Sequence, residues 1–227
     1  MGRSIIIAYV LSHIISIPSS KAATICNILL DKHNFKDITF KNIPPTTYEW
    51  QSNKLVATVK SSSSSIVIPF KDILKLTSIA FEWKSKGTLK IKNTALEKTK
   101  SGDDSLFKIG LLYYSKNSST IPFFAPNWIK MLSTSLHHPT DHMTYLIVGA
   151  KNKPGTTWVN PYSDKILNHA VASTSLGQWE HTVIHWKNAQ EIVGLWIQAD
   201  GDNTNSSFIS ELRNLKLEVT SKSKTCL

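Results

Sequence analysis

The chain has 227 residues, a net charge of +10, 41 % hydrophobic and 19 % charged residues, and two cysteines. That is enough apolar material for one full-sized core, and too few cysteines for a disulfide-dense miniature fold. The excess of lysine is scattered, as in Lys84-Ser85-Lys86, Lys90-Ile91-Lys92 and Lys98-Thr99-Lys100, with no arginine-rich block. This pattern argues against nucleic acid as a partner and suits attraction to anionic polysaccharide, lipopolysaccharide or a membrane surface, which salt would weaken.

Met1-Gly2-Arg3 is a short positive start, Ser4 to Ile17 is uncharged and largely apolar, and Ser20 and Ala22 make a small-x-small ending. Those three parts form a secretory signal peptide over residues 1–22, cleaved after Ala22. Its apolar core of about 14 residues falls short of the roughly 20 that span a bilayer, and no later stretch is longer, so no transmembrane segment is expected in the mature chain. Ile25 stands before Cys26 where a lipoprotein would carry a small residue. Cleavage leaves 205 residues, 23–227, as a single domain, and removing Arg3 and Lys21 brings the charge to +8. The expected location is periplasmic or extracellular. In an oxidising compartment Cys26 and Cys226 have one possible pairing. The bond would close a loop over nearly the whole chain, worth up to about 5 kcal/mol in the chain-entropy model. It predicts that the first and last strands are neighbours. Two free thiols in frayed ends are the alternative.

Beyond Cys26 strand signals dominate. Runs rich in β-branched and aromatic residues lie at 55–59, 66–70, 79–84, 88–92, 106–114, 144–149, 182–186, 191–199 and 212–219, bounded by Ser, Asn, Gly, Lys or Pro. Ile79, Phe81 and Trp83 alternate with Glu82 and Lys84, the mark of a half-buried strand. Helical spacing is weak. It is confined to short turns at Phe70–Leu76 and Trp128–Leu132. The serine run Ser61–Ser65 leads straight into Ile66 and reads as a strand approach rather than a linker. Many short strands with regular turn signals predict an all-β, antiparallel β-sandwich of jelly-roll type. The stretch Ser115–His142, with Pro122, Pro126 and Pro139, is expected to be a long irregular loop, a common place for binding surfaces.

The stretches Ser78–Lys84, Lys100–Tyr113, Thr144–Gly149, Leu176–Trp186 and Ile192–Ser206 follow one another in the order and spacing of a known family. On them the chain resembles family 3047 of the domains of unknown function over roughly Ile66 to Val219. The sharpest motifs are Gly102-Asp103-Asp104 before a strand and Asp200-Gly201-Asp202-Asn203-Thr204 after one. Asn205 departs from the glycine that usually follows, and the 115–142 insertion is unusually long. The resemblance implies an exported bacterial protein with a β-sandwich like those of carbohydrate-binding modules, and it implies no catalysed reaction.

Asp200, Asp202, Thr204 and Glu211 stand at positions 1, 3, 5 and 12 of an EF-hand count, which makes Asp200, Asp202 and Glu211 candidate ligands for Ca²⁺. Position 6 is Asn205 in place of glycine, and the flanks read as strands. A calcium loop between strands therefore fits better than an EF-hand, with Asp103 and Asp104 completing the shell if the two loops meet. The same residues also serve a plain tight turn, in which they bond their own backbone. His137, His138 and His142 with Asp141 match no zinc spacing and read as a solvated loop. His181 and His185 share a strand face with Val183 and are as consistent with packing as with ligation.

Exposed aromatic rings stack on sugars while neighbouring polar groups bond the hydroxyls. Trp128 and Trp158, in loop sequence, are the expected exposed rings, with Asp103, Asp104 and Asn203 as their polar neighbours. No nucleophile elbow, phosphate loop, dinucleotide fingerprint or His-Glu-x-x-His is present. The expectation is an exported, non-catalytic glycan-binding protein, Ca²⁺-stabilised or free of cofactor. A polysaccharide lyase or glycoside hydrolase is the alternative, and a structural or adhesive envelope protein is a second.

Overall fold

The computed structural model describes residues 23–117, 125–173 and 177–220; the leader 1–22 and Cys226 lie outside the described residues. The fold is all-β, a sandwich of jelly-roll type with eleven strands among the described residues: β1 (Thr24–Asn27), β2 (Lys36–Thr39), β3 (Thr47–Gln51), β4 (Lys54–Lys60), β5 (Ser63–Thr88), β6 (Ser105–Tyr114), β7 (Thr140–Ala150), β8 (Thr157–Asn160), β9 (Ser163–Ser173), β10 (Glu180–Asp200) and β11 (Ser207–Val219). One helix, α1 (Asn127–Ser135), starts after Pro126.

Two long strands carry the chain through both layers. The first half of β5 (Ser63–Pro69) pairs with the last part of β10 (Gly194–Asp200), which pairs in turn with β6; β7, β9 and β8 extend this layer, and β2 closes its other edge. The second half of β5 (Leu76–Thr88) pairs with the start of β10 on one side and with β11 on the other, and β11 is flanked by β4 and β1. The switch falls where Pro69, which has no N–H to give a ladder, faces Gly194 across a register shift. A Cβ on Gly194 would meet the Ile68 carbonyl oxygen at 2.7 Å, so the close approach at the bend requires glycine.

The expected helical turn at Phe70–Leu76 is part of β5. Its i, i+3, i+4 spacing of apolar residues loses to pairing with β10 on the same segment, a case of tertiary context overriding local pattern. The expected strand at 88–92 stops at Thr88, whereas Trp128–Leu132 does fall inside α1. Every strand pair is antiparallel except β7 with β9, which is parallel.

Alternate residues of both layers meet in the main core: Ile66, Ile68, Ile109, Leu146 and Leu195 from one face, and Leu55, Ile79, Phe81, Leu212 and Leu217 from the other. A second cluster covers the outer face of the first layer, where Val67, Met143, Tyr145, Val193 and Trp196 are capped by Leu132 of α1 and Ile38 of β2. Covering on both faces explains the near-continuous apolar runs of β6 and β10. β1 pairs with the end of β11, Cys26 facing Leu217, so the first and last strands are neighbours, and Cys26 is buried.

Candidate functional site

The outer face of the first layer turns from apolar to polar along its length. Trp196, Gln198 and Asp200 alternate along β10 and therefore share one side of the sheet, beside Lys108 of β6, which pairs with Gln198. Lys108 is 1 % exposed. Its ammonium donates to the Asp103 carbonyl at 2.6 Å, to Asp103 Oδ2 at 3.0 Å and to Asp200 Oδ2 at 2.8 Å. Gln198 donates to the same Asp200 oxygen at 2.9 Å and to Ser63 Oγ at 3.0 Å, and accepts the Trp196 indole N–H at 3.1 Å. Asn160 of β8 and Asn168 of β9 close the far side, both donating to Asp103.

Burial and charge set the protonation of this cluster. Burial pushes the Asp200 carboxyl up to about 7, partly opposed by Lys108. It raises Asp103 too, against the same lysine. Burial would lower Lys108, but the two carboxylates outweigh it and hold the ammonium well above its ordinary value. One cation thus serves two buried acids.

The two motif loops meet at the end of this face. Asp104 Oδ1 accepts the Asn203 N–H and side-chain amide, both at 3.2 Å; Asp104 Oδ2 accepts the Thr204 N–H at 2.8 Å and the Thr204 hydroxyl at 2.5 Å. Thr204 and Ser206 are joined through their hydroxyls, and Ser206 Oγ accepts the Lys90 N–H. Asn205 stands at φ 52°, the left-handed region that asparagine tolerates best after glycine. It therefore makes the turn at which a glycine was expected. Gly201 remains obligatory, since a Cβ there would meet Val59 Cγ1 at 2.6 Å. One oxygen each from Asp104, Asp200 and Asp202 lies within 4.8 Å of the others.

Several expected site residues sit elsewhere. Glu211 is on β11, bound to Lys54 at 2.6 Å and Lys84 at 2.9 Å; those two bonds outweigh burial and hold its carboxyl below the usual range. It is not in the aspartate group, because a strand carries residue 211 away from the loop that an EF-hand helix would fold back. Trp158 is 9 % exposed, on β8 inside the outer cluster. Trp128 is half-buried on α1, its edge against Trp196 with ring centroids 6.0 Å apart. β8 turns the Trp158 ring inward, and α1 lays Trp128 partly buried against the outer cluster. His138 bonds the Lys71 carbonyl, His142 pairs with Asp141 and stacks on Tyr113, and His181 and His185 face solvent on β10.

The exposed ring at this edge is Tyr162, 55 % exposed, in the turn between β8 and β9. Its hydroxyl lies 2.9 Å from Asn203 Oδ1 and 3.2 Å from the Lys100 carbonyl, with one hydrogen to give between them. The Lys100 ammonium is 5.3 Å from the ring centroid. Asn160, Asn168 and Tyr162 lie outside the family-bearing stretches, and Lys108 and Gln198 lie inside them without being singled out as site residues. The one usable signal was a lysine inside the apolar run Leu106–Leu112, where both faces are buried and a charge needs a partner. A separate cavity of about 270 Å³ opens between β2 and β3, lined by Lys32, Asp37, Thr39, Thr46, Tyr48 and Trp50, and the buried Trp50 indole nitrogen has no hydrogen-bond partner.

The family model described as "Protein of unknown function (DUF3047)" matches residues 33–216. No curated protein matches the sequence. Among solved structures, the family 11 carbohydrate-binding module of the cellulosomal cellulase Lic26A-Cel5E of Clostridium thermocellum is 10 % identical, covering 88 % of this chain and 95 % of its own at a TM-score of 0.43. The family 29 module CBM29_1 from Piromyces equi is 9 % identical, covering 87 % and 91 % at 0.40. The Emp47p carbohydrate recognition domain is 10 % identical, covering 88 % and 96 % at 0.35. At these TM-scores no ligand of those proteins is carried over to this chain.

Proposed function

We propose a non-catalytic, glycan-binding function for this chain, which belongs to the DUF3047 family. It acts on a cell-envelope or extracellular glycan after export by its N-terminal leader. The observation that carries the reading is Tyr162: an aromatic ring more than half exposed, yet fixed at its hydroxyl by Asn203 and the Lys100 carbonyl. A ring held in place loses little freedom when a sugar stacks on it. The Lys100 ammonium lies over one face of the ring, so a sugar would stack on the opposite face, with the half-buried Asp202 and Asn203 side chains near to bond its hydroxyls. Binding is favoured over acid–base chemistry because Asp103 and Asp104 are tied to Lys108 and to the Asn203–Thr204 backbone.

A second reading seats the ligand in the β2–β3 cavity, where the Trp50 ring and the polar lining of Lys32, Asp37, Thr39, Thr46 and Tyr48 would receive a single sugar unit. The test is a glycan array followed by affinity electrophoresis of the full chain. Tyr162→Ala should weaken retention by about tenfold or more, the loss of a stacked ring being worth over 1 kcal/mol; Trp50→Ala should leave it unchanged. The reverse pattern would move the ligand to the cavity. Release of oligosaccharides from any retained polysaccharide would replace binding with catalysis, and no retention on any glycan would overturn the proposal.

A further inference from the structure

We infer that Asp104, Asp200 and Asp202 form a Ca²⁺ site that locks the Asp200–Ser206 turn onto the Asp103-Asp104 loop. One oxygen from each carboxylate lies within 4.8 Å of the others. Opposed ligands in a Ca²⁺ shell stand roughly 4.6–5.2 Å apart, so three oxygens at this spacing are within reach of one ion.

Independent support comes from Asp200 itself. Its side chain is 4 % exposed, and Lys108 and Gln198 are both bonded to Oδ2. Oδ1 is buried and receives no N–H donor, and the side chain also meets the Asp202 carboxyl, a contact between two acids. A buried carboxylate oxygen without a donor is costly, and such atoms ordinarily have a partner or an ion. Its neighbours in the group are two more carboxylates, which accept and do not donate when ionised. A cation satisfies all three at once.

The charge balance points the same way. Asp103, Asp104, Asp200 and Asp202 crowd one end of the sheet, and the buried ammonium of Lys108 bonds two of them, Asp103 and Asp200. The Asp104 oxygens are already aimed by four donors from Asn203 and Thr204, so one ligand is fixed before the ion arrives. Those four bonds occupy the roughly four lone-pair sites of the carboxylate, so ligation by Asp104 exchanges one of these donors for the ion. Asp202 is half-buried and opens the site to solvent.

The inference does not depend on glycan binding, and its test contains no glycan. The full chain is stripped with EDTA and titrated with Ca²⁺ alone by calorimetry, with thermal melts alongside. The expected result is one Ca²⁺ per chain and a melting temperature raised by roughly 5–10 °C at a hundredfold excess over Kd. Asp202→Asn keeps the shape of a half-buried side chain and should weaken Ca²⁺ about tenfold or more, since affinity follows ligand charge. Glu211→Gln, although it stands at position 12 of the EF-hand count, should leave Ca²⁺ affinity unchanged. Where Asp202→Asn lowers stability by itself, terbium luminescence excited through tryptophan gives a second readout of the same site. Absence of Ca²⁺ binding at millimolar concentration, or binding that Asp202→Asn leaves intact, overturns the inference. So does a loss on Glu211→Gln that matches the loss on Asp202→Asn.

Discussion

Replacing Lys108 with methionine tests the polar end of the sheet most directly. Methionine keeps most of the unbranched stem and removes the ammonium. Three acceptors then lose a donor: the Asp103 carbonyl, Asp103 Oδ2 and Asp200 Oδ2. All lie in a region where the lysine, Asp103 and Asp200 side chains are 2 %, 7 % and 4 % exposed, so water does not replace it. Gln198 still serves Asp200, and Asn160 and Asn168 still serve Asp103, which keeps the loss near the ordinary figure for breaking a buried ion pair, about 3–5 kcal/mol. For a chain of this size that lowers the melting temperature by roughly 6–20 °C. The companion variant Lys108→Met with Asp103→Asn and Asp200→Asn removes the charges together and should regain at least half of the loss, because the damage comes from uncompensated buried acids rather than from the missing stem. Melts by circular dichroism, with urea unfolding for the free energies, decide it. A single variant that costs under about 1 kcal/mol, or a triple variant no better than the single, would refute the claim that Lys108 neutralises this end of the sheet.

Four further outcomes follow from the same geometry. Glu211 has a folded carboxyl held below its ordinary 4.5 by the bonds from Lys54 and Lys84, which outweigh burial; such a group adds stability above pH 4.5 that fades as the pH falls through its folded value, so the melting-temperature gap between wild type and Glu211→Gln should be widest above pH 5 and close towards pH 3. Trp158 is buried with an unpartnered indole nitrogen; Trp158→Phe should change stability by under about 1 kcal/mol while Trp158→Ala costs about 3–5 kcal/mol, and neither should alter glycan retention if Tyr162 is the stacking ring. Non-reducing peptide mapping of the exported protein should find Cys26 joined to Cys226, and Cys226→Ser should lower the melting temperature. Gly194→Ala should destabilise strongly, since its Cβ would stand 2.7 Å from the Ile68 carbonyl oxygen at the bend of β5 and β10.

The strands that read clearly from sequence are those with one periodic signal and strong apolar content. Ile79, Phe81 and Trp83 alternate with half-buried Glu82 and Lys84, and this part of β5 stands as read. The short strands β1, β2, β3 and β8 went unread, because residues such as Lys36-Asp37-Ile38-Thr39 acquire strand geometry only through pairing with a neighbour, and so did the longer β9, held between β7 and β8. Glu211 shows where counting fails: twelve positions bring an EF-hand glutamate back to its loop through a helix, and along β11 they carry it to the lysines of β4 and β5. Trp158 shows a similar limit, since Gly- and Pro-rich flanks suggest a loop while the ring turns inward on β8.

The loop stretch with which the sequence is most eloquent, Asp200 to Ser206, is held by contacts that run through the fold. Asp104, nearly a hundred residues away, fixes Asn203 and Thr204; Asn203 in turn fixes the exposed Tyr162 ring; and Asp200 joins the turn to Lys108 and the buried face. A change at Asp104 or Asp202 therefore reaches the aromatic platform through two hydrogen bonds, by way of Asn203. The Ca²⁺ and glycan sites would then be coupled, and coupling is reciprocal: whatever factor Ca²⁺ adds to glycan affinity, the glycan adds to Ca²⁺ affinity. Titrating Ca²⁺ with and without a retained glycan measures that factor. Equal affinities in both arms would show that Tyr162 is held firmly enough by Asn203 and Lys100 to ignore the ion beneath it.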